Sequence, residues 1–266
     1  MKKPAVTIEA LLRSALPDLA PLDAELLLAR AVKRERTWLL AHPDAPVPEA
    51  AACRFERWVS RRADGTPVAH LVGEKEFFGR MFTVTPAVLC PRPDSELLVE
   101  RTLAWLHPGD TLVEIGTGSG CIGLSVCLER PGTPAILTDV SPAALAVAKR
   151  NARRHAVPDV RFVEADGWPT DLRTDPVRTV VVANLPYLTP EEADRLPHEP
   201  RIALDGGSDG LDAIRRLLRD LERAACIPRR LLLEHAPPQA APIRRLTGRP
   251  AKTYRDLAGR DRVTEF

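Results

Sequence analysis

The spacing of apolar residues changes partway along the chain. Up to about Ala63 it is helical throughout: Thr7 is placed to cap "IEALLRSAL", and Pro21 opens "LDAELLLARAVKRE". "TWLLAHP" and "PEAAACRFERWVSRRA" follow, and "DGTP" marks a turn. Four or five short helices without a strand predict a small bundle, marginal alone and suited to docking something. "KEFFGRMFTVT" has two β-rich arms around Gly79 and predicts a linking hairpin. In "PRPDSELLVERTLAWL", Asp94 or Ser95 is placed to cap a helix.

From Thr111 onward strand and helix alternate. "TLVEI", "AILTDV", "VRFVEA", "TVVVAN" and "RRLLLEH" read as buried strands. "CIGLSVCLER", the Ser141-capped "SPAALAVAKRNARRHA", "GLDAIRRLLRDLERAA" and "PIRRLTG" read as helices between them. "KTYRDL-AGR-DRVTEF" reads as two closing strands around a tight turn. Repeated βα units predict an α/β fold with a parallel, doubly wound sheet, and such sheets bind ligands beyond the carboxyl ends of their strands. The expected organisation is a helical domain over 1–72, a hairpin linker over 73–91 and an α/β domain over 92–266.

Composition narrows this little further. With 266 residues, 44% hydrophobic and 28% charged, the chain has the make-up of a globular protein, and a net charge of +2 argues against a basic nucleic-acid surface. Five scattered cysteines, none in a C-x-x-C pair, read as buried thiols in a reducing compartment, neither bridged nor holding zinc. "MKKPAVTIEALL" has two lysines but no secretory apolar run, and no stretch is long enough to span a bilayer. A cytoplasmic location without membrane contact is expected.

"EIGTGSGCIG" joins the first sheet strand to its helix, where glycines let a ligand approach the backbone and the helix start offers free N–H groups. "GSGCIG" matches G-x-G-x-x-G, yet the first glycine after the strand is Gly116, so the register gives G-x-G-x-G and not a dinucleotide fingerprint. With Asp139 ending the second strand, placed to accept from two ribose hydroxyls, the loop resembles an S-adenosylmethionine site. The reversed last strand is the usual ending of a Rossmann-like methyltransferase sheet. The bland alternative is a tight turn without ligand. In "EADGWP", Asp166 or the Trp168 ring is open between flanking an adenine and plugging a loop.

"VVVANLPYLTP" ends a buried strand on an amide. Methylating an amide or aromatic amine requires both of its N–H groups to be held, because the nitrogen lone pair is delocalised. The Asn184 side-chain oxygen and the Leu185 carbonyl are two such acceptors. Pro186 stiffens the turn and Tyr187 is placed to pack on the flat face of the acceptor. A sulfonium methyl is already activated, so no metal is called for and positioning supplies most of the rate. An isolated N-L-P-Y is otherwise a simple turn.

The chain resembles the peptide chain release factor N(5)-glutamine methyltransferases, the PrmC/HemK family. The likeness runs through "RRADGTPVAHLVGEKEFFG", "VLCPRPDSELLVE", "EIGTGSGCIGLSV", "HEPRIALDGGSDGLDAIRRLL" and "DLAGRDRV". It implies that Gly116, Thr117, Gly118, Ser119, Gly120, Asp139, Trp168 and Asn184 contact S-adenosyl-L-methionine, which leaves as S-adenosyl-L-homocysteine. Asn184, Leu185, Pro186 and Tyr187 would hold the substrate glutamine of a release-factor Gly-Gly-Gln loop, with Asn184 and Tyr187 catalytic. The N-terminal helices would dock that partner; a monomer without direct nucleic-acid binding is expected. Leu185 departs from the family's usual N-P-P-Y, and N-L-P-Y occurs in adenine dimethyltransferases of ribosomal RNA. An adenine N6-methyltransferase on RNA or DNA and an inactive cofactor-binding partner of a translation factor therefore stand as alternatives.

Arg92 is open between a cleft contact and a surface role, and Cys90 reads as packing. His235 reads as a structural hydrogen-bonding group and Glu199 as a loop anchor. The arginines of "RRLLRDLERAA" read as a solvated helix face.

Overall fold

The computed structural model describes residues 6–266. The lysine-bearing start of the chain lies outside the described residues. The chain divides between Glu74 and Lys75 into two units.

The first unit is helical: α1 (Ile8–Ala15), α2 (Pro21–Val32), α3 (Arg36–Ala41), α4 (Glu49–Ala63) and α5 (Val68–Val72). The Thr7 side chain accepts from the Ala10 N–H and so caps α1, while Pro21 opens α2. Leu11, Leu27, Leu28, Phe55 and Leu71 share one apolar core. Pattern reading stops short of α5, which is only five residues long.

β1 (Glu74–Phe77) and β2 (Arg80–Thr83) form a two-stranded hairpin. Its turn has positive φ at both Phe78 and Gly79, the geometry a two-residue hairpin turn needs.

The second unit continues with α6 (Glu96–Leu103), β3 (Thr111–Ile115), α7 (Cys121–Glu129), β4 (Ala135–Asp139), α8 (Pro142–Arg154), β5 (Val160–Glu164) and β6 (Thr179–Ala183). After these come α9 (Pro190–Asp194), α10 (Asp212–Arg223), β7 (Arg230–Glu234), α11 (Ala240–Thr247), β8 (Lys252–Arg255) and β9 (Asp261–Glu265). The sheet runs β5-β4-β3-β6-β7-β9-β8. β5, β4, β3, β6 and β7 are parallel, and β9 is reversed against both β7 and β8. This is the doubly wound Rossmann-like sheet that the alternation predicts, ended by the reversed C-terminal strand expected from the closing strand pair.

Alternate strand residues feed two separate cores, as the period-2 geometry of strands dictates. Leu112, Leu137, Val180, Val182 and Leu232 face one core, packed with Leu98 of α6 and Leu124 of α7. Val113, Ile115, Val181, Ala183, Leu231 and Leu233 face the other, with Ile214, Leu217 and Leu221 of α10. The arginines on the polar side of α10 are exposed or half-buried; Arg215 pairs with Asp209 and Asp212, and Arg216 pairs with Asp166.

Neither Asp94 nor Ser95 caps α6 by its side chain. A 3₁₀ turn over Pro93–Ser95 leads straight into the helix, so Ser95 already has helical φ and ψ. Its hydroxyl is engaged elsewhere, and Asp94 pairs with Arg260 and Arg262. Four of the five cysteines are buried as free thiols, whereas Cys53 is exposed.

Asn151 of α8 is fully buried and ties the hairpin to the glycine loop. Its Oδ1 accepts from the Thr83 N–H at 2.7 Å, and its Nδ2 donates to the Thr83 and Ser119 carbonyls at 2.9 and 2.8 Å. Asn151→Ala would leave these buried backbone groups unpaired, at a cost on the order of 2–3 kcal/mol. We expect the urea midpoint of the full chain to fall accordingly; an unchanged midpoint contradicts this role.

Candidate active site

Strands β3 and β6 are neighbours although the chain visits β4 and β5 between them, which makes their carboxyl ends the point where strand order reverses. Ile115 pairs with Ala183, so the next residues, Gly116 and Asn184, leave the sheet side by side. Beyond them lies a cleft of about 540 Å³. Gly116, Thr117, Gly118, Ser119, Asp139, Asn184, Leu185 and Pro186 all line it.

The loop has left-handed φ at Gly116, Gly118 and Gly120. A Cβ at Gly118 would meet nothing within 4 Å, so the backbone there lies open to a ligand. At Gly120 the reason for glycine is different. A Cβ would come within 2.9 Å of Leu124 and 3.2 Å of Ala148, and Gly120 is not among the residues lining the cleft. It serves the packing of α7 against α8.

Two buried carboxylates shape this loop. Glu114 accepts from the Thr117 hydroxyl at 2.6 Å and the Gly123 N–H at 3.1 Å. A Cβ at position 123 would fall 2.5 Å from the same carboxylate oxygen, which explains the glycine. Asp139 accepts from the Gly118 and Ser141 N–H groups at 2.8 and 2.9 Å. Burial raises its carboxyl, and these backbone donors work against the rise. Open glycine backbone, a helix start and a carboxylate 21 residues on suit a nucleoside bearing a ribose diol and a charged amino-acid tail.

Asn184 donates from Nδ2 to the Ser95 Oγ at 3.1 Å, leaving Oδ1 as an acceptor. The Leu185 side chain is 8% exposed; it packs in the core shared with α10 and would lie 3.2 Å from a Cβ at Gly116. A second segment braces the turn. Leu188 N–H donates to the Leu204 carbonyl at 3.0 Å, and Gly206 N–H to the Leu188 carbonyl at 2.8 Å. Any side chain at Gly206 or Gly210 would strike the Pro186 or Tyr187 carbonyl, at 2.4 and 2.1 Å. Gln239 Nε2 holds the Tyr187 carbonyl at 2.9 Å. The glycines of "DGGSDG" thus let two backbones meet, a contact that only the tertiary fold reveals.

Besides Gly120, two more expected site residues lie off the cleft lining. Trp168 does not line the cleft: its ring is 3% exposed within the core shared with α10, whereas Ala165, Asp166 and Gly167 do line it. Burying the ring satisfies its large apolar surface, and it plugs the loop. Tyr187 also lies off the cleft lining, with its hydroxyl 3.5 Å from Glu234 Oε1. Burial first, then the nearby Glu234, pushes that phenol up to about 12, so it stays neutral.

Glu199 is buried and anchors two residues that line the cleft: it accepts from the Cys90 N–H at 3.0 Å and pairs with Arg92. Cys90 lines the cleft, and burial drives its thiol up to about 12. His235 is fully buried and structural, with Nδ1 2.8 Å from the Ala236 carbonyl and Nε2 2.7 Å from the Thr264 hydroxyl. Reading the sequence took Ser95 for a helix cap and missed that it lines the cleft and accepts from Asn184.

Relatives share most of the chain's length. The family described as "PrmC N-terminal domain" matches residues 7–73, and "Precorrin methyltransferase domain" matches residues 98–182. The release factor glutamine methyltransferase of Bordetella pertussis is 39% identical, covering 93% of this chain and 95% of that protein. The Burkholderia pseudomallei protein of the same name is 41% identical over 92% and 89%, respectively. Among solved structures, the hMettl16 catalytic domain in complex with a MAT2A 3'UTR hairpin superposes with a TM-score of 0.57 at 15% identity, covering 100% of this chain and 91% of that one. The human methyltransferase 10 domain containing protein gives 0.51 at 17% identity, over 71% and 88%. These structural likenesses concern the fold alone.

Burial pushes the Glu114 carboxyl from its ordinary 4.5 up to about 8, against the pull of Thr117 and Gly123. Between those values the folded chain keeps a proton that the unfolded chain has released. This group's contribution to stability is therefore full below about 4.5 and is lost as pH rises through about 8. Glu114→Gln, which keeps an acceptor for both donors, should flatten the fall of the urea midpoint across that range. An identical pH slope contradicts the assignment.

Proposed function

Since this chain belongs to the release factor glutamine methyltransferase family, and so is an S-adenosylmethionine-dependent methyltransferase, we propose that it methylates the side-chain amide nitrogen of the glutamine in a release-factor Gly-Gly-Gln loop. The observation that carries this reading is the adjacency of Gly116 and Asn184 on one cleft wall, with Asn184 Nδ2 already engaged by Ser95.

In this reading Asp139 holds the ribose hydroxyls, and the Gly116–Ser119 backbone follows the amino-acid part of the cofactor. The bound cofactor supplies a methyl group on positively charged sulfur, already activated for displacement. The substrate glutamine presents two N–H groups. Asn184 Oδ1 takes one and the Leu185 carbonyl takes the other, which fixes the plane of the amide and aims the face of its nitrogen. The same oxygens favour the positive charge that grows on nitrogen in the transition state. Leu185 keeps the carbonyl that a proline would offer there, and its buried side chain supplies the rigidity. Pro186 restricts the turn, and Gly206 and Gly210 hold it from behind. The N-terminal helices provide a docking surface for the release factor.

No helix among the described residues is long and apolar enough to cross a membrane. A purified release factor incubated with the protein and labelled cofactor should gain one methyl on the Gly-Gly-Gln peptide; absence of label there contradicts the substrate assignment. Asn184→Ala should lower kcat by about 10²-fold, with cofactor affinity changed far less. An unchanged kcat contradicts the role given to Asn184.

A further inference from the structure

Among the described residues the cleft is lined by two cations, Arg92 and Arg216. The strand order β5-β4-β3-β6 sets Asp166, Asp139, Gly116 and Asn184 in a row along the carboxyl edge of the sheet. Arg216 pairs with Asp166, at the β5 end of that row. Arg92 belongs to the Asn184 end. The Ser95 N–H donates to the Arg92 carbonyl at 3.1 Å, and the Ser95 hydroxyl accepts from Asn184 at 3.1 Å. A cofactor with its ribose on Asp139 and its methyl group near Asn184 therefore runs its base toward Arg216 and its amino-acid tail toward Arg92.

That tail carries a carboxylate, and the cleft beside it is walled by Ile115, Cys121, Ile122 and Leu185. A charge placed there needs a partner. Arg216 is already neutralised by Asp166. Arg92 is held in another way. Both oxygens of Glu199 are taken, Oε1 by a terminal nitrogen of Arg92 and Oε2 by the Cys90 N–H at 3.0 Å. The Glu199 side chain is 3% exposed and does not line the cleft, whereas that of Arg92 is 42% exposed and does. A guanidinium has five N–H donors. Glu199 engages one nitrogen, and among the described residues no other acceptor takes the rest. The result is a planar fork fixed from behind by a buried carboxylate and open toward the cleft, which suits a second carboxylate bound through two parallel hydrogen bonds.

We propose that Arg92, fixed by Glu199, binds the α-carboxylate of the cofactor's amino-acid tail. Asp139 at the ribose and Arg92 at the carboxylate then anchor the molecule at two points, with the sulfur between them. Anchoring of this kind aims the methyl group at Asn184 before the acceptor arrives. The proposal rests on the cofactor reading of the cleft and is independent of which macromolecule is methylated.

Calorimetric titration of the full-length protein tests it without turnover. The probes are S-adenosylhomocysteine and its decarboxylated analogue, which keeps the amine and lacks the carboxylate. We expect the wild type to bind S-adenosylhomocysteine about 10-fold or more tighter than the analogue. Arg92→Gln should weaken S-adenosylhomocysteine by about 10-fold or more and change the analogue by less than about threefold, so that the preference disappears. Arg92→Lys should restore the preference only in part, because an ammonium keeps the charge but not the fork. Arg92→Gln leaves the buried Glu199 without its cation, so the double variant Arg92→Gln/Glu199→Gln, a neutral hydrogen-bonding pair, is titrated beside it and should show the same selective loss. Equal weakening of both ligands makes the role structural, and an unchanged S-adenosylhomocysteine Kd with a raised KM for the release factor makes Arg92 a contact for the substrate; either result overturns the proposal. A wild-type protein that binds neither ligand overturns the cofactor reading itself.

Discussion

Parallel pairing of β3, β6 and β7 places Gly116, Asn184 and Glu234 in one row at the carboxyl edge of the sheet. The row depends on backbone register and not on any contact among the three side chains. A slip of one residue would turn each of them to the opposite face. The alternating burial of Leu112, Val180 and Leu232 in one core, and Val113, Val181 and Leu231 in the other, holds that register from both sides. Cleft chemistry and core packing are thus two consequences of the same hydrogen-bond ladder.

Three buried carboxylates around the cleft shape backbone or side-chain direction. Glu114 ties the glycine loop through Thr117 and the start of α7 through Gly123. Asp139 draws the Gly118 and Ser141 N–H groups toward one point. Glu199 fastens the cleft lining at Cys90 and Arg92. Fixed acceptors of this kind lower the reorganisation needed when charge develops in the cleft, at the cost of holding carboxylates away from water.

Most elements, and the two central motifs, are legible in the linear sequence because their signals are local. Ser141 followed by Pro142 announces α8, and the positions of Gly116, Gly118 and Asp139 follow from a single βα turn and the strand after it. Partnership across the fold is not local. Ser95 has the residue type and position of a helix cap, yet its hydroxyl accepts from the Asn184 side chain across the fold. Glu234 hides in a strand of leucines, and nothing nearby in sequence marks it. Gly206 and Gly210 reveal their purpose only once the Pro186 and Tyr187 carbonyls lie against them. Trp168 sits in the right loop for an adenine contact, but the core beside α10 offers its ring a better place.

The central claim concerns the direction of two oxygens. It is tested most directly by a crystal structure of the protein with S-adenosyl-L-homocysteine and a glutamine-containing release-factor peptide. The account predicts the glutamine side-chain nitrogen within hydrogen-bonding reach of both Asn184 Oδ1 and the Leu185 carbonyl, with Asn184 Nδ2 still on Ser95. A glutamine bound elsewhere, or an Asn184 that presents its NH₂ group to the peptide, would contradict it.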